Sequence, residues 1–172
     1  MIFWNLQVQV MPIRLRKRYR LRNKEIKAFS EHLKEIFSKQ CFSTNDTVDK
    51  AELEGFEVIL VNGEILGLVI QNAPFLTVRG LLKYRPEKRF VTVDMGAVKY
   101  VYNGADVMVP GIVEAEEGIK KGDLVWIRDE KNKQPLAIGE ALISGKEMLL
   151  SDKGKAVKSL HHVGDNIWNF EN

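Results

Sequence analysis

The stretch PIRLRKRYRLRNKEIKAF, from Pro12 to Phe29, sets a cation at nearly every second position. A strand points successive side chains to opposite faces. Arg14, Arg16, Arg18, Arg20 and Arg22 would then share one face while Ile13, Leu15, Tyr19 and Leu21 take the other, with only Lys17 breaking the apolar row. A comb of guanidinium groups on an apolar back suits a polyanion, because each group offers N–H donors in a rigid fork. A basic strand that is merely solvated is the other reading of the same pattern.

Other residues invite catalytic readings that their spacing does not sustain. GEALISGKE resembles a phosphate-binding loop, but five residues separate Gly139 from Gly145 and Glu147 stands where a magnesium-holding hydroxyl would be needed. Asp94, Met95 and Gly96 open no dinucleotide fingerprint. His161, His162 and Asp165 are three mixed groups on one turn with no distant fourth ligand, which points to a solvated or core-edge cluster rather than a metal site. Cys41 lies two and a half turns from His32 and has no nearby base, so it reads as a small buried residue at a helix end. No catalytic residue, metal or cofactor is expected.

Composition bounds the framework around these residues. With 172 residues, 45% hydrophobic and 28% charged, the chain can bury a core as one large or two small domains. The formal charge of +3 is modest, but Arg14 to Lys27 is strongly cationic while 46–64 and 114–117 lean acidic. A single cysteine excludes an internal disulfide and fits a reducing cytoplasm. No run approaches the roughly 18 apolar residues of a membrane span. MIFWNLQVQV lacks a basic leader and a small-residue cleavage site, so it is not a secretory signal. Two readings of it stay open: Met11 as the true start, or residues 1–10 as an extra strand.

Along the chain, Asn23 is the expected N-cap of a helix through Gln40, with Ile26, Phe29, Leu33, Ile36 and Phe37 on its apolar face. FSTNDTVDKAELEG reads as a polar loop with one helical turn. FEVILV and EILGLVIQ flank Asn62-Gly63, the pair suited to a type I′ hairpin. A turn over Asn72 to Pro74 leads to a short helix capped by Thr77 and stopped at Pro86, and RPEKR is the natural boundary. From Phe90 onward, short strands separated by glycine turns predict a small barrel. Its pieces are FVTVD, a helix over MGAVKYVYNG capped by Asp94, a strand over ADVMVPGI ending in a Pro110-Gly111 type II turn, LVWIRD, PLAIGEALIS, a capping box at SGKE, KAVKSLHHV, and a closing NIWNF.

VTVDMGAVKYVYNGADVMVPGI, GDLVWI, PLAIGEALIS, KGKAV and HHVGDNIW together resemble the PUA domain, the RNA-binding module named from pseudouridine synthases and archaeosine transglycosylases. RLRKRYRLRNKEIKAF through APFLTVRGLLKY resembles the domain that precedes PUA in the malignant T-cell amplified sequence family of translation factors and its archaeal relatives. The resemblance implies an α+β protein: a mixed α/β pre-PUA domain over 1–88, then a PUA-type small β-barrel with short helices over 89–172. It also implies a non-catalytic RNA-binding role on tRNA or small-subunit rRNA, with the small ribosomal subunit and a translation-factor protein as partners. An accessory subunit that docks a protein through its first domain is the alternative.

Carried over to this chain, the resemblance puts RNA against Gly96, Ala97, Lys99, Asn103, Gly104, Ala105, Asp106, Val107, Met108, Pro110 and Gly111, with Lys153, Lys155 and Lys158 adding phosphate contacts. Glycines let a nucleic-acid backbone approach, and a helix N-terminus welcomes phosphate. His161, Gly164, Asp165 and Trp168 match a block that reads as structural, a tight turn and a core aromatic. The catalytic aspartate of pseudouridine synthases belongs to a separate domain, so the resemblance brings no active site with it.

Overall fold

In the computed structural model, which describes residues 12–170, two sheets are built from consecutive halves of the chain. Both readings of MIFWNLQVQV lie outside the described residues. The first sheet is an antiparallel meander in sequence order: β1 (Arg16–Arg20), β2 (Val48–Leu53), β3 (Phe56–Val61), β4 (Glu64–Ile70) and β5 (Ala73–Leu76). Helix α1 (Asn23–Phe37) buries Ile26, Leu33 and Phe37, and the Phe37 ring meets Phe75 of β5 at 5.0 Å between centroids. Asn23 is the first helical residue rather than the cap. Arg22 takes the cap position, and its N–H donates to the Glu25 carboxylate at 2.9 Å.

Two strands lie where the sequence reading put loops or turns. VDKAEL forms β2, because Glu54 and Gly55 adopt left-handed angles (φ 48° and 84°) and make a second tight hairpin with β3. Its charged Asp49, Lys50 and Glu52, set among the buried Val48, Ala51 and Leu53, hid a strand in the interior of the sheet. APFL forms β5 for the same reason: Gln71 and Asn72 take φ 52° and 63°, which reverses the chain onto β4. The Asn62-Gly63 hairpin forms as expected, at φ 51° and 90°. Thr77 caps α2 (Val78–Tyr84) by accepting the Gly80 N–H at 3.1 Å.

The second sheet is mixed, in the order β7-β11-β10-β9-β6-β8. Its strands are β6 (Phe90–Val93), β7 (Val107–Met108), β8 (Ile112–Ala115), β9 (Leu124–Asp129), β10 (Pro135–Ala141) and β11 (Lys155–His162). The two edge strands β7 and β8 are joined by a single 3₁₀ turn, Val109–Gly111, so the sheet must curl nearly into a barrel. This turn replaces the expected type II turn, and ADVMVPGI is split between the two edges. The barrel core includes Val91, Val93, Val101, Val125, Ile127 and Val157. Helix α3 (Met95–Tyr102) crosses one end, and α4 (Gly145–Leu150) begins at the Ser144 cap.

NIWNF does not close the barrel. Asp165 accepts the Trp168 N–H at 2.9 Å and turns the chain into a short helix, α5 (Asn166–Asn169). Ile167 then packs into the core of the first sheet, where Trp126 and Ile138 also lie, so the two halves share continuous apolar contacts. Trp168 is half-exposed rather than a core aromatic. The Arg79 guanidinium covers it at 4.1 Å and donates to its carbonyl at 2.8 Å. No helix among the described residues is long and apolar enough to cross a membrane.

Candidate nucleic-acid interface

Helix α3 and the chain that follows it build an open groove of about 580 Å³. Ala97, Val101, Ala105, Val107 and Pro110 supply apolar lining, while Tyr100 and Met108, both largely exposed, are the larger side chains there. Gly96, Gly111, Asp94, Asp106 and Lys155 complete it. Nine residues named from the sequence thus line one concavity: Gly96, Ala97, Ala105, Asp106, Val107, Met108, Pro110, Gly111 and Lys155. Lys99, Asn103, Gly104 and Lys153 lie outside that lining. Lys99 is exposed on α3, 5.0 Å from the Tyr100 ring, and Asn103 and Gly104 end the helix through backbone bonds to Lys99, Tyr100 and Val101. Tyr100 was passed over in the sequence. Its signal is an aromatic residue, 57% exposed, in a helix that buries only Val101.

Two of the N–H groups at the helix N-terminus, the feature expected to meet phosphate, are already taken. Asp94 accepts from Ala97 N–H at 2.9 Å, and Glu130 accepts from Met95 N–H at 3.2 Å. Two carboxylates therefore hold these two donors and would repel a phosphate. Replacing Asp94 with alanine should cost about 1 kcal/mol in thermal unfolding, as for other N-caps. An unchanged stability would show that Glu130 alone secures the helix.

The glycines have packing duties of their own. A Cβ on Gly111 would sit 3.1 Å from that of Ala97, so its absence lets the 3₁₀ turn approach α3 closely. Gly104 has φ 81°, and a Cβ there would meet His162 Nε2 at 2.9 Å. His162 fills the space behind that turn.

Asp106 ties the groove to β11. Its Oδ1 accepts the Ser159 N–H at 3.0 Å and its Oδ2 meets Lys155 Nζ at 3.3 Å. The Ser159 hydrogen bond, and then Lys155 against the opposing effect of burial, hold its carboxyl below the usual range. Lys155 is thereby anchored beside the groove.

The arginine comb is interrupted. Arg16 lies opposite Glu52, Tyr19 opposite Lys50 and Arg20 opposite Asp49, so β1 carries one extra residue between Arg16 and Tyr19. Lys17, at φ 49°, is in the left-handed conformation within this bulge, and its Nζ reaches Glu52 at 2.9 Å. A one-residue insertion reverses the face of everything beyond it, so Arg16 and Arg20 project from opposite sides of the sheet. The expected single row is therefore corrected. Its physical reason is that Lys17, which would otherwise share the apolar row, is displaced toward a surface carboxylate.

The apolar back is likewise partial: Leu21 is buried, but Tyr19 and Ile13 are 48% and 37% exposed. Arg14 and Arg16 line a separate hollow with Glu52 and Glu54, and Arg22 is exposed at the start of α1. On the other face, Arg18 Nε donates to Asp49 Oδ2 at 2.9 Å, and Arg20 Nε donates to Asp49 Oδ1.

Among the described residues, no three His, Cys, Asp or Glu side chains are grouped to hold a metal. His161 is 1% exposed and both its nitrogens are engaged. The Val78 N–H donates to Nε2 at 3.2 Å, so the proton resides on Nδ1, which faces Asp165 Oδ2 at 2.7 Å. Burial pushes the Cys41 thiol up to about 11, far from a reactive thiolate.

Comparison with known proteins agrees with this architecture. The family model for the PUA domain matches residues 89–163. An uncharacterised protein of Methanocaldococcus jannaschii is 45% identical over 159 residues, 91% of this chain and 98% of its own. Translation machinery-associated protein 20 of Saccharomyces cerevisiae is 30% identical over 166 residues, 87% of this chain and 92% of its own. The chain belongs to the translation machinery-associated protein 20 family. Malignant T-cell-amplified sequence 1 of Rattus norvegicus, 30% identical over 122 residues, covers 69% of this family member and 67% of itself. Among solved structures, a hypothetical protein from Pyrococcus horikoshii OT3 superposes with a TM-score of 0.80 at 40% identity, over 88% of this chain and 97% of its own.

Proposed function

We propose that the protein binds structured RNA in translation, without catalysing a reaction on it, and that its RNA is tRNA or small-subunit rRNA. The observation that carries the reading is the groove between α3 and β7. It is apolar at its floor, walled by an exposed Tyr100 and Met108, and flanked by Lys155 and Lys99, within a stretch that matches the PUA domain. An apolar cleft with an exposed aromatic suits an unpaired base, and cations beside it suit the phosphates on either side. In this reading residues 1–88 act as a pre-PUA domain whose β1 cations hold further phosphates, and 89–172 act as the PUA domain. The name of translation machinery-associated protein 20 supports a role in translation; work in the cytoplasm beside the small ribosomal subunit and a translation-factor partner belongs to the same proposal.

A docking role for the first domain would call for an exposed apolar patch beside the hairpin β3–β4. The large exposed apolar side chains among the described residues lie elsewhere, so nothing specific favours that reading.

Crosslinking the protein to RNA in native cell extract and sequencing the bound fragments tests the proposal. Recovery of tRNA or small-subunit rRNA at defined positions is expected; no RNA above background would sink it. In binding assays, changing Arg16, Arg18 and Arg20 to alanine should weaken binding to every RNA and lower the salt slope by about one per lost phosphate contact. Lys99→Ala should instead change discrimination among structured RNAs. Identical behaviour of the two sets would refute the division of labour.

A further inference from the structure

Asp49 is an odd residue to find in the most cationic part of the molecule. Its side chain is only 9% exposed, whereas those of Arg18 and Arg20 are 41% and 63% exposed. Each carboxylate oxygen accepts one Nε–H, Oδ2 from Arg18 and Oδ1 from Arg20. Among the described residues, the terminal nitrogens of both guanidiniums carry no hydrogen bond, so each keeps donors available to solvent.

The arrangement depends on the bulge. With Lys17 in the left-handed conformation, residues 18 and 20 come onto the face of β2 that carries Asp49, and Arg16 is sent to the other. A straight strand would place Arg16 with them. Burial by itself would raise the Asp49 carboxyl, but the hydrogen bonds from Arg20 and Arg18 outweigh it and keep the group ionised at neutral pH.

We infer that Asp49 is a positioning residue for RNA binding: it fixes Arg18 and Arg20 as a paired clamp for phosphates of the RNA backbone. This rests on the RNA-binding reading above. A free arginine loses much rotamer freedom when it grips a phosphate, and a guanidinium already held at Nε loses less. A structured RNA presents rigidly spaced phosphates, the ligand that gains most from two forks fixed in advance. An acidic protein loop can adapt to mobile arginines and has less to gain from the clamp.

The inference has a sign opposite to simple electrostatics. Asp49→Asn removes a negative charge next to two arginines, so long-range attraction alone predicts tighter RNA binding. The clamp predicts weaker binding, by about fivefold, from the ordering cost returned to the two side chains. The salt slope should stay close to wild type, because both arginines still reach phosphate.

The test measures affinity for bulk tRNA and for a blunt RNA duplex at several salt concentrations, using wild type, Asp49→Asn, the double variant Arg18→Ala/Arg20→Ala, and all three changes together. A loss from Asp49→Asn that disappears in the Arg18→Ala/Arg20→Ala background is expected. The same loss in that background would show Asp49 to be a fold residue only and overturn the inference. Equal or tighter binding by Asp49→Asn, with wild type binding RNA, would overturn the clamp while leaving the RNA reading intact. Wild type that binds neither RNA, or that releases RNA to poly-glutamate as readily as to competitor RNA, would overturn both.

Discussion

Gly80→Ala is expected to destabilise the protein by about 3 kcal/mol or more, a drop of roughly 10 °C in Tm for a chain of this size. A Cβ at Gly80 would lie 2.1 Å from the Leu66 carbonyl oxygen and 3.2 Å from Leu76 Cδ2. The first of these neighbours is backbone, and it already accepts the Thr77 N–H at 3.1 Å. It cannot step aside without pulling β4 out of the sheet, so α2 would have to lift away. That movement would also drag Val78 from His161 and Arg79 from Trp168, the contacts that join the halves. Gly154→Ala is the fitting comparison. Its Cβ would meet nothing within 4 Å, so only the strain of φ 103° is felt. Urea unfolding of the two variants separates a steric clash from backbone strain; equal small losses would show that α2 does not need this approach to β4.

His161→Leu carries the other large effect, about 3 kcal/mol, because a buried acceptor is removed while its partners remain. The Val78 N–H would be left buried and unpaired at the first turn of α2, and Asp165 would lose the donor on Nδ1. Asp165 also accepts from the N–H groups of His162 and Trp168, so it links β11 to α5. A stability within 1 kcal/mol of wild type would mean that water replaces the imidazole.

The same node sets an acid limit. Burial would raise the Asp165 carboxyl, but the His161 hydrogen bond and the two N–H donors outweigh it and hold the group below its ordinary value. A depressed folded pKa means that the carboxylate contributes stability above the unfolded value of about 3.9, and that this is lost as pH falls through the folded one. Asp165→Asn should therefore flatten the fall of stability across that acid window. An unaltered acid limb would assign the limit to other carboxylates.

Much of this molecule was legible in its residue order where the deciding interaction is local. Asn62-Gly63 specifies its hairpin because few residues tolerate two successive left-handed conformations, and Thr77, Asp94 and Ser144 start their helices through bonds to residues three positions ahead. The blocks from Phe90 to Phe170 were sufficient to name the PUA domain, whose family match covers residues 89–163. Strands β2 and β5 were missed because Glu54-Gly55 and Gln71-Asn72 are unremarkable as turn sequences, and the strands they create exist through pairing with β3 and β4.

The site shows the same division. Residue order marked Gly96 to Gly111 as one region, but the concavity that joins Ala97, Tyr100, Val107 and Lys155 arises only when β11 pairs with β7 beside α3. The alternation of arginines predicted a single face because a strand repeats every second residue. One residue at Lys17 in the left-handed conformation divides that face, and Asp49, 29 positions from Arg20, decides which guanidiniums are held together. Sequence periodicity determines which side chains alternate; the pairing of distant strands decides which of them meet, since register is fixed by contacts that no local pattern contains.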